Sequence, residues 1–317
     1  MNTLTEPFDL SFLVDSQCVA GLVTGQLGAR AEQVYKVGEG FYALVYLVEL
    51  DGDPGQTIVK CHKYGGRGIA EAQQLHVLRE RATIRIPEVY ALHPGSATFP
   101  CEALTMEVIP GINASQVVFP DERCRAYFVD QAVEALKTWH AVHHPAGFGE
   151  LGGPYHDTWV GSFRERIAPY HAHVHGPAHR AVISAPVMHT IDRSFEALDA
   201  ILAGASTRPS LVHSDYNAWN MMVDPETYAL SGAIDPIDAG WSDPEIDLFH
   251  LANCRPELGM LGRYLQDVDV DASFWLRYRF YRFWDDVKHY CRMGWYGEER
   301  FREYGDALEE AMGECLP

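Results

Sequence analysis

The sequence has no apolar run long enough to cross a bilayer. A stretch such as FYALVYLV (residues 41–48) has the length of a strand, well short of the roughly 18 residues a spanning helix needs. The opening MNTLTEPFDLSFLVDSQ carries acids but no basic segment, which argues against a secretory leader. No C-x-x-C pair occurs. The seven cysteines, Cys18, Cys61, Cys101, Cys124, Cys254, Cys291 and Cys315, are odd in number and scattered. That distribution suits reduced thiols in a cytoplasmic protein rather than a disulfide framework. Basic residues are scarce as well: Lys and Arg number 25 against 44 Asp and Glu, a formal charge of −19. Such a surface repels phosphate backbones, so neither nucleic acid nor a membrane is an expected partner. It would attract a cationic small molecule, or simply confer solubility. Internal repeats and low-complexity segments are lacking too, which excludes solenoids and disordered arrays. No oligomeric state follows from the sequence.

What remains is a chain of 317 residues, 47% of them hydrophobic, enough for one large core or two lobes. Residues 31–63 predict three strands, AEQVYKV, FYALVYLVEL and TIVKCHK, parted by GEG and DGDPGQ turns. A helix is predicted from Ile69 to Arg81, with Ala72, Leu75 and Leu78 on one side. CEALTMEVIPG reads as a strand running into a loop at Pro110 and Gly111. Helices dominate from there: Asp121 to His143 with Asp121 as N-cap, then 161–173, 186–203, 244–253, 272–291 and 297–313. Two short strands flank a turn between Met221 and Ile234. Strands first and helices later predict an α+β chain, with a small antiparallel-sheet lobe over 1–110 and a larger, mostly helical lobe over 111–317.

Two neighbouring stretches concentrate chemistry on short ground. LVHSDYNAWNMMVD (residues 211–224) holds His213, Asp215 and Asn220, and GAIDP (residues 232–236) holds Asp235. Asp215 and Asn220 have the spacing of the kinase catalytic loop H-x-D-x-x-x-x-N. Phosphoryl transfer needs a carboxylate to orient the attacking hydroxyl and hard oxygen ligands for Mg²⁺. Asp215 can be that base, Asn220 a metal ligand, and Asp235, closing the hairpin that follows, a second and anionic ligand. Upstream, Lys60 in TIVKCHK can neutralise phosphates, and Glu71 in the next helix can pair with it. Gly38 and Gly40 lie in the turn between the first two strands, where backbone must approach phosphates.

These stretches resemble the aminoglycoside phosphotransferase/fructosamine kinase superfamily, whose fold is protein-kinase-like. LVHSDYNAWNMMVD is similar to the H-G-D-x-x-x-x-N loop of that superfamily. AIDPIDAGWSDPEIDL resembles I-D-P…G-D-x-E-x-D-L of the fructosamine kinase branch, as do FGELGG…TWVGSFRERI and FYRFWDDVKHYCRMGWYGEERF. The likeness runs from about Glu32 to about Glu310. It implies ATP and Mg²⁺ as cofactors, Asp215 as catalytic base, and Asn220 and Asp235 as Mg²⁺ ligands. It places Lys60 on the phosphates, paired with Glu71 in the first turn of its helix. LTMEVIPG resembles the hinge, where the backbone of Glu107 and Ile109 would meet adenine. Asp247 resembles an acid that braces the catalytic loop, with His213 packed in support. Three departures stand out: Ser214 for the Gly of H-G-D, Ala43 in the third glycine's place of the phosphate loop, and Ser242 for the Gly of G-D.

The activity implied is transfer of a γ-phosphate to a hydroxyl of a sugar or amino sugar, with a ketoamine such as a fructosamine the best match. An antibiotic kinase acting on an aminoglycoside, and a nucleotide-binding pseudokinase scaffold, are the alternatives. A protein kinase fits less well, because no A-P-E segment follows Asp235. Tyr216, Trp219, Asp238 and Trp241 are candidates to touch the acceptor, with Asp243, Glu245, Trp295 and Tyr296 behind them; Trp241 and Glu245 equally suit packing of the loop. Two further patterns are set aside. The histidines of HAHVHGPAH are spaced so that they do not all share a helical face, and no Cys is nearby to complete a metal site. Gly147, Gly149 and Gly152 match G-x-G-x-x-G by letter, but in a Gly/Pro-rich loop that follows a helix.

Overall fold

The computed structural model describes residue 10 and residues 14–316. Two compact units emerge. One runs through Phe128 and includes Trp219–Ile237; the other holds Val129–Ala218 and the chain from Asp238 onward. Elements below are numbered along the chain.

The first unit is built on a five-stranded antiparallel sheet of β1 (Ala31–Glu39), β2 (Ala43–Leu50), β3 (Gln56–His62), β4 (Val89–His93) and β5 (Ala103–Met106), in the order β1-β2-β3-β5-β4. Alternation along β2 turns Leu44, Tyr46, Val48 and Leu50 inward, where they join Val19 and Val23 of helix α1 (Ser16–Leu27) in one core. Sequence periodicity does not announce α1, whose SQCVAGLVTGQL holds two glycines. Its ends do: the Asp15 carboxylate accepts from the Cys18 amide at 2.8 Å, and Gly28 stops the helix at φ 74°. Helix α2 (Arg67–Arg81) begins two residues before its predicted start. The Glu102 carboxylate, distant in sequence, accepts from the amides of Gly66 and Gly68 at 2.7 Å each and satisfies the opening turn. Glu71 therefore falls in the second turn, not the first.

A three-stranded sheet completes this unit: β6 (Ile112–Asn113), β10 (Met221–Val223) and β11 (Leu230–Ala233), ordered β11-β10-β6. Because β6 pairs with β10, the units do not part at the expected 110/111. They part inside helix α3 (Glu122–His140), and the hairpin that carries Asn220 and Asp235 goes with the first unit. Asp121 caps α3 as predicted, accepting from the Cys124 amide at 2.8 Å.

In the second unit, β7 (Phe148–Glu150), β8 (Tyr155–His156), β9 (Ser210–Val212) and β12 (Gly240–Ser242) form a sheet ordered β8-β7-β12-β9. The loop FGELGGPYH is thus a hairpin, and its glycines belong to a strand edge rather than a dinucleotide turn. Seven further α-helices follow among the described residues, all but α8 close to predicted segments: α4 (Trp159–Val174), α5 (Ala185–Glu196), α6 (Leu198–Ile201), α7 (Glu245–Leu251), α8 (Met260–Leu265), α9 (Phe274–Met293) and α10 (Glu298–Cys315). The single helix expected over 186–203 breaks at Ala197 into α5 and α6, and α8 is an addition. Helix α9 turns Phe280, Tyr281, Phe283, Trp284 and Val287 into a core shared with Trp159 and Phe163 of α4 and Phe301 and Leu308 of α10. Within that core the Trp159 indole donates to the Tyr281 hydroxyl at 2.7 Å, which donates to Asp243 at 2.8 Å.

Among the glycines without a positive φ, close backbone approach is tightest at Gly232. The Ala233 amide donates to Arg85 O at 3.0 Å, and a Cβ on residue 232 would lie 2.4 Å from that same oxygen and 2.9 Å from Ile109 Cγ2. Gly232→Ala is therefore expected to destabilise the protein by about 2 kcal/mol, the scale of overpacking against an immobile backbone. Urea unfolding measures this, and a loss below about 0.5 kcal/mol, the level of an ordinary surface change, would show that the strand yields.

Candidate active site

Lys60 sits mid-strand in β3, opposite Val45 of β2 and Leu104 of β5, with its side chain buried. A buried ammonium must be paired. Its Nζ donates to Glu71 Oε1 at 2.8 Å and to the Asp235 carboxylate. Burial alone would lower the Lys60 pKa, but Asp235 and Glu71 outweigh it and hold the ammonium above its ordinary value. Beside it, burial pushes His62 down to about 3, so that imidazole is neutral. The predicted trio of Lys60, Glu71 and Asp235 is thus brought together. Asn220 joins it through the backbone: the Ile234 amide donates to Asn220 O at 2.9 Å, which sets Asn220 beside the residue preceding Asp235. An amide oxygen and a carboxylate on adjacent strand ends are the hard donors that Mg²⁺ takes, so these residues fit that ion.

The glycine turn is where it was expected. Gly38 lies at an irregularity of the β1–β2 pairing, and the Gly40 amide closes the turn on Ala43 O at 2.9 Å. Phe41, Tyr42 and Tyr64 pack edge and face around that turn, so the bulky residues that depart from a plain glycine loop form a small aromatic cluster. At the predicted hinge, the Glu107 amide already donates to Glu88 O at 2.8 Å, and its carboxylate is held by Arg79 and Arg85. Ile109 is buried.

In the second unit the loop that begins at His213 hangs on one acid. Asp247, in α7, is fully buried; its carboxylate accepts from the His213 amide at 2.9 Å and the Ser214 amide at 2.6 Å, and faces His140 Nε2 at 3.1 Å. Burial raises its pKa, but the bond from His140 and the neighbouring histidines prevail and hold the carboxyl below its usual range. The bracing role expected of Asp247 matches these bonds. His213 is buried against Trp139 and Tyr216, as expected of a packed residue. Ser214 has φ 63°, the left-handed region a glycine would enter freely. Asp238 at 57° shares it, as does Asp235 of the first unit at 59°, so each of these residues carries backbone strain of about 1–3 kcal/mol. Asp215 follows Ser214, with a quarter of its side chain exposed. Asn217 Nδ2 donates to Asp215 Oδ1 at 2.7 Å, and His250 Nδ1 stands 3.4 Å from the same oxygen.

A pocket opens beside this loop, wholly within the second unit. Its enclosed part is small, about 20 Å³, and α4, α7 and α9 wall it with Phe163, Arg166, Tyr170, His250, Trp284, Asp285 and Lys288 around Ser214. The sequence reading missed these residues, apart from the stretches FRERI and FWDDVKHYCR noted for their resemblance. The available signal was charge on an apolar face: Asp285 and Lys288 fall on the same stripe of α9 as Tyr281 and Trp284.

Several acceptor candidates are corrected. Tyr216 is buried, with its hydroxyl donating to Ala132 O at 3.1 Å, so it packs the loop from inside. The Trp241 ring stacks on His144 at 4.7 Å. Asp243 is buried against Tyr281, and Glu245 is bound by Arg277 at 2.6 Å, so both brace helices. Tyr296 accepts from the Ser184 amide at 3.2 Å, and Trp295 is largely exposed. Trp219 is the most exposed aromatic of the loop at 58%. Asp238 accepts from Arg292 at 2.7 Å, with Arg166 at 3.5 Å. Among the HAHVHGPAH histidines, His171 and His175 both face Asp192 Oδ1, at 2.9 and 2.7 Å, and His173 stacks on His179 instead.

Comparison with known proteins places the chain. The model of the phosphotransferase enzyme family (APH) matches residues 34–281. The chain belongs to this family and is a phosphotransferase. Uncharacterized protein YcbJ of Escherichia coli (strain K12) is 23% identical over 281 residues, 87% of this chain and 92% of that protein. A putative fructosamine-3-kinase from Thermobifida fusca superposes with a TM-score of 0.67 at 22% identity, over 93% of this chain and 98% of its own. The GDP complex of aminoglycoside 2'-phosphotransferase-IIIa gives a TM-score of 0.66 at 16% identity, over 95% and 99%. These likenesses establish the kinase-like α+β fold.

Replacing Asp247 by Ala strands two buried amides, so a loss of about 3 kcal/mol is expected from urea unfolding at neutral pH. Because the folded carboxyl lies below its ordinary pKa of about 3.9, its contribution is full above that value and fades as pH falls through the folded one. The gap between wild type and Asp247→Ala should accordingly narrow below about pH 4; a constant gap would assign the effect to packing.

Proposed function

We propose that this phosphotransferase is an ATP-dependent small-molecule kinase, moving the γ-phosphate to a hydroxyl of a sugar-like acceptor, with a ketoamine the best match. The observation that supports it most is the pairing of Lys60 with both Glu71 and Asp235: a buried cation is kept charged where a polyphosphate needs one. In this reading the acceptor hydroxyl oxygen forms the new bond to the γ-phosphorus, the bond to the β–γ bridging oxygen breaks, ADP leaves, and the hydroxyl proton passes to the Asp215 carboxylate. Asn217 orients that carboxylate, and the Asp247 bonds fix the loop that carries it. Asn220 and Asp235 would hold Mg²⁺, which when bound neutralises the phosphate oxygens. Any adenine contact from Glu107 would run through its carbonyl, since its amide is engaged. Catalysis is then mainly positioning and charge neutralisation.

The test is coupled ADP release with Mg²⁺-ATP or Mg²⁺-GTP against fructosyl-lysine, ribosyl-lysine, aminoglycosides, choline and simple sugars. Asp215→Asn should lower turnover by about a thousandfold and leave nucleotide affinity unchanged, as expected for a general base. Lys60→Met should weaken nucleotide binding by about tenfold or more, since it removes a charge-assisted contact. Undiminished turnover in Asp215→Asn would remove Asp215 from the chemistry. Tight nucleotide binding with no product from any acceptor would favour the scaffold reading.

A further inference from the structure

On a chain of formal charge −19, the walls of the pocket beside Asp215 run against the overall sign. Three cations converge on it from two helices: Arg166 of α4, and Lys288 and Arg292 of α9. Arg166 and Lys288 line it directly. Arg166 Nη2 lies 3.5 Å from Ser214 Oγ and 3.5 Å from Asp238, which Arg292 holds at 2.7 Å. Lys288, its side chain only 9% exposed, is 2.5 Å from Asp285, which His289 Nδ1 also approaches at 3.3 Å. Burial would lower the Lys288 pKa, but Asp285 and Asp238 hold it above its ordinary value, against the opposing charge of Arg292 and Arg166. With Asp215 beside His250, three cations face three carboxylates around an open-mouthed pocket. Arg166 is held least tightly, its contacts to Ser214 and Asp238 both lying at 3.5 Å, so its guanidinium can turn to an oxyanion.

A second observation marks the same pocket as a binding site. His250, 98% buried, lines it with an Nδ1 that makes no hydrogen bond among the described residues. Burial pushes this imidazole down to about 4, so it is neutral and can share a hydrogen bond with a hydroxyl next to Asp215 Oδ1. Phe163, Tyr170 and Trp284 supply apolar faces for a compact carbon skeleton.

Resting on the kinase reading above, we infer that the acceptor is a small hydroxylated oxyanion, its carboxylate or phosphate held by Arg166 and Lys288 while its hydroxyl lies between His250 and Asp215. The enclosed part of the pocket is only about 20 Å³, so it suits a compact anionic group with the rest of the acceptor at the mouth, and not a multi-ring aminoglycoside.

The experiment uses the full chain saturated with Mg²⁺ and a non-hydrolysable ATP analogue, titrated by calorimetry at low salt. The probes are matched pairs that differ in the anion: gluconate and glucitol, glycerol 3-phosphate and glycerol, fructosyl-glycine and its amide, with kanamycin as the polycation. At least one anionic member should bind about thirtyfold or more tightly than its neutral partner, and Arg166→Met should erase that difference. The phosphate and carboxylate pairs tell the two sources of negative charge apart. Lys288→Met should act likewise; since Lys288 is buried, its nucleotide affinity reports whether that variant has folded, and Arg166→Met decides the matter if it has not. Equal binding within every pair, tighter binding of kanamycin, or no binding of any anion would overturn the inference. ADP release on the same panel separates the two readings. Turnover confined to neutral or cationic acceptors defeats the oxyanion and keeps the kinase. Selective anion binding that depends on Arg166, without turnover, keeps the oxyanion site and counts against the kinase.

Discussion

A single buried carboxylate sets the geometry on which this site depends. Asp247 takes two consecutive backbone amides, those of His213 and Ser214, and so fixes the chain at the step before Asp215. Without that acceptor the strained φ of Ser214 would relax, because nothing in a serine favours the left-handed region. The strain is useful: it turns the backbone so that Asp215 leaves the packed loop while His213 and Tyr216, on either side, stay in the core. Asp247 in turn is kept ionised by histidines rather than by Arg or Lys, so the loop is tied down without an Arg or Lys beside Asp247.

The first unit solves the opposite problem. Its sheet needs apolar residues at every inward position, yet β3 carries a lysine in the middle. Two acids from different directions, one on α2 and one at the end of the β10–β11 hairpin, compensate it. The position of Glu71 depends on where α2 starts, and Glu102 decides that start by filling the open amides of the first turn. A cap from another part of the chain therefore helps to set the helix that carries the ion pair.

Residues that act through short linear spacing were legible beforehand. Asp215, Asn220 and Asp235 lie within one loop and one hairpin, and Lys60 and Glu71 lie on consecutive elements, so chain order carried most of their geometry. The pocket was not legible in that way. Arg166, His250 and Lys288 come from three helices, and only packing brings them together. Tyr216 was misjudged for a related reason: proximity to Asp215 in sequence says nothing about which side of a strained loop a ring takes, and Trp139 drew this one inward. Helix α1 escaped periodicity because its core contact is narrow, two valines, and its limits are set by a cap and a glycine rather than by a stripe. The division at 110/111 followed the change from strands to helices, whereas the compact units follow strand pairing, which the composition of a segment does not encode.

Net charge is likewise a coarser guide than the groups on a pocket wall. A total of −19 suggests a preference for cations, but charge on an open surface is screened within about 8–10 Å at physiological salt, whereas charge on a pocket wall is not. What a ligand meets is set by the few groups that water cannot reach, and here those include Lys288 and the arginines around Asp238. The acidic envelope then has a different part to play. Repulsion by the surface would slow the approach of any anion, nucleotide included, so selectivity must come from the pocket itself rather than from steering. A kinase arranged in this way would recognise its acceptor by contact at short range, through a matched pair of charges at one end and a hydroxyl beside the base at the other.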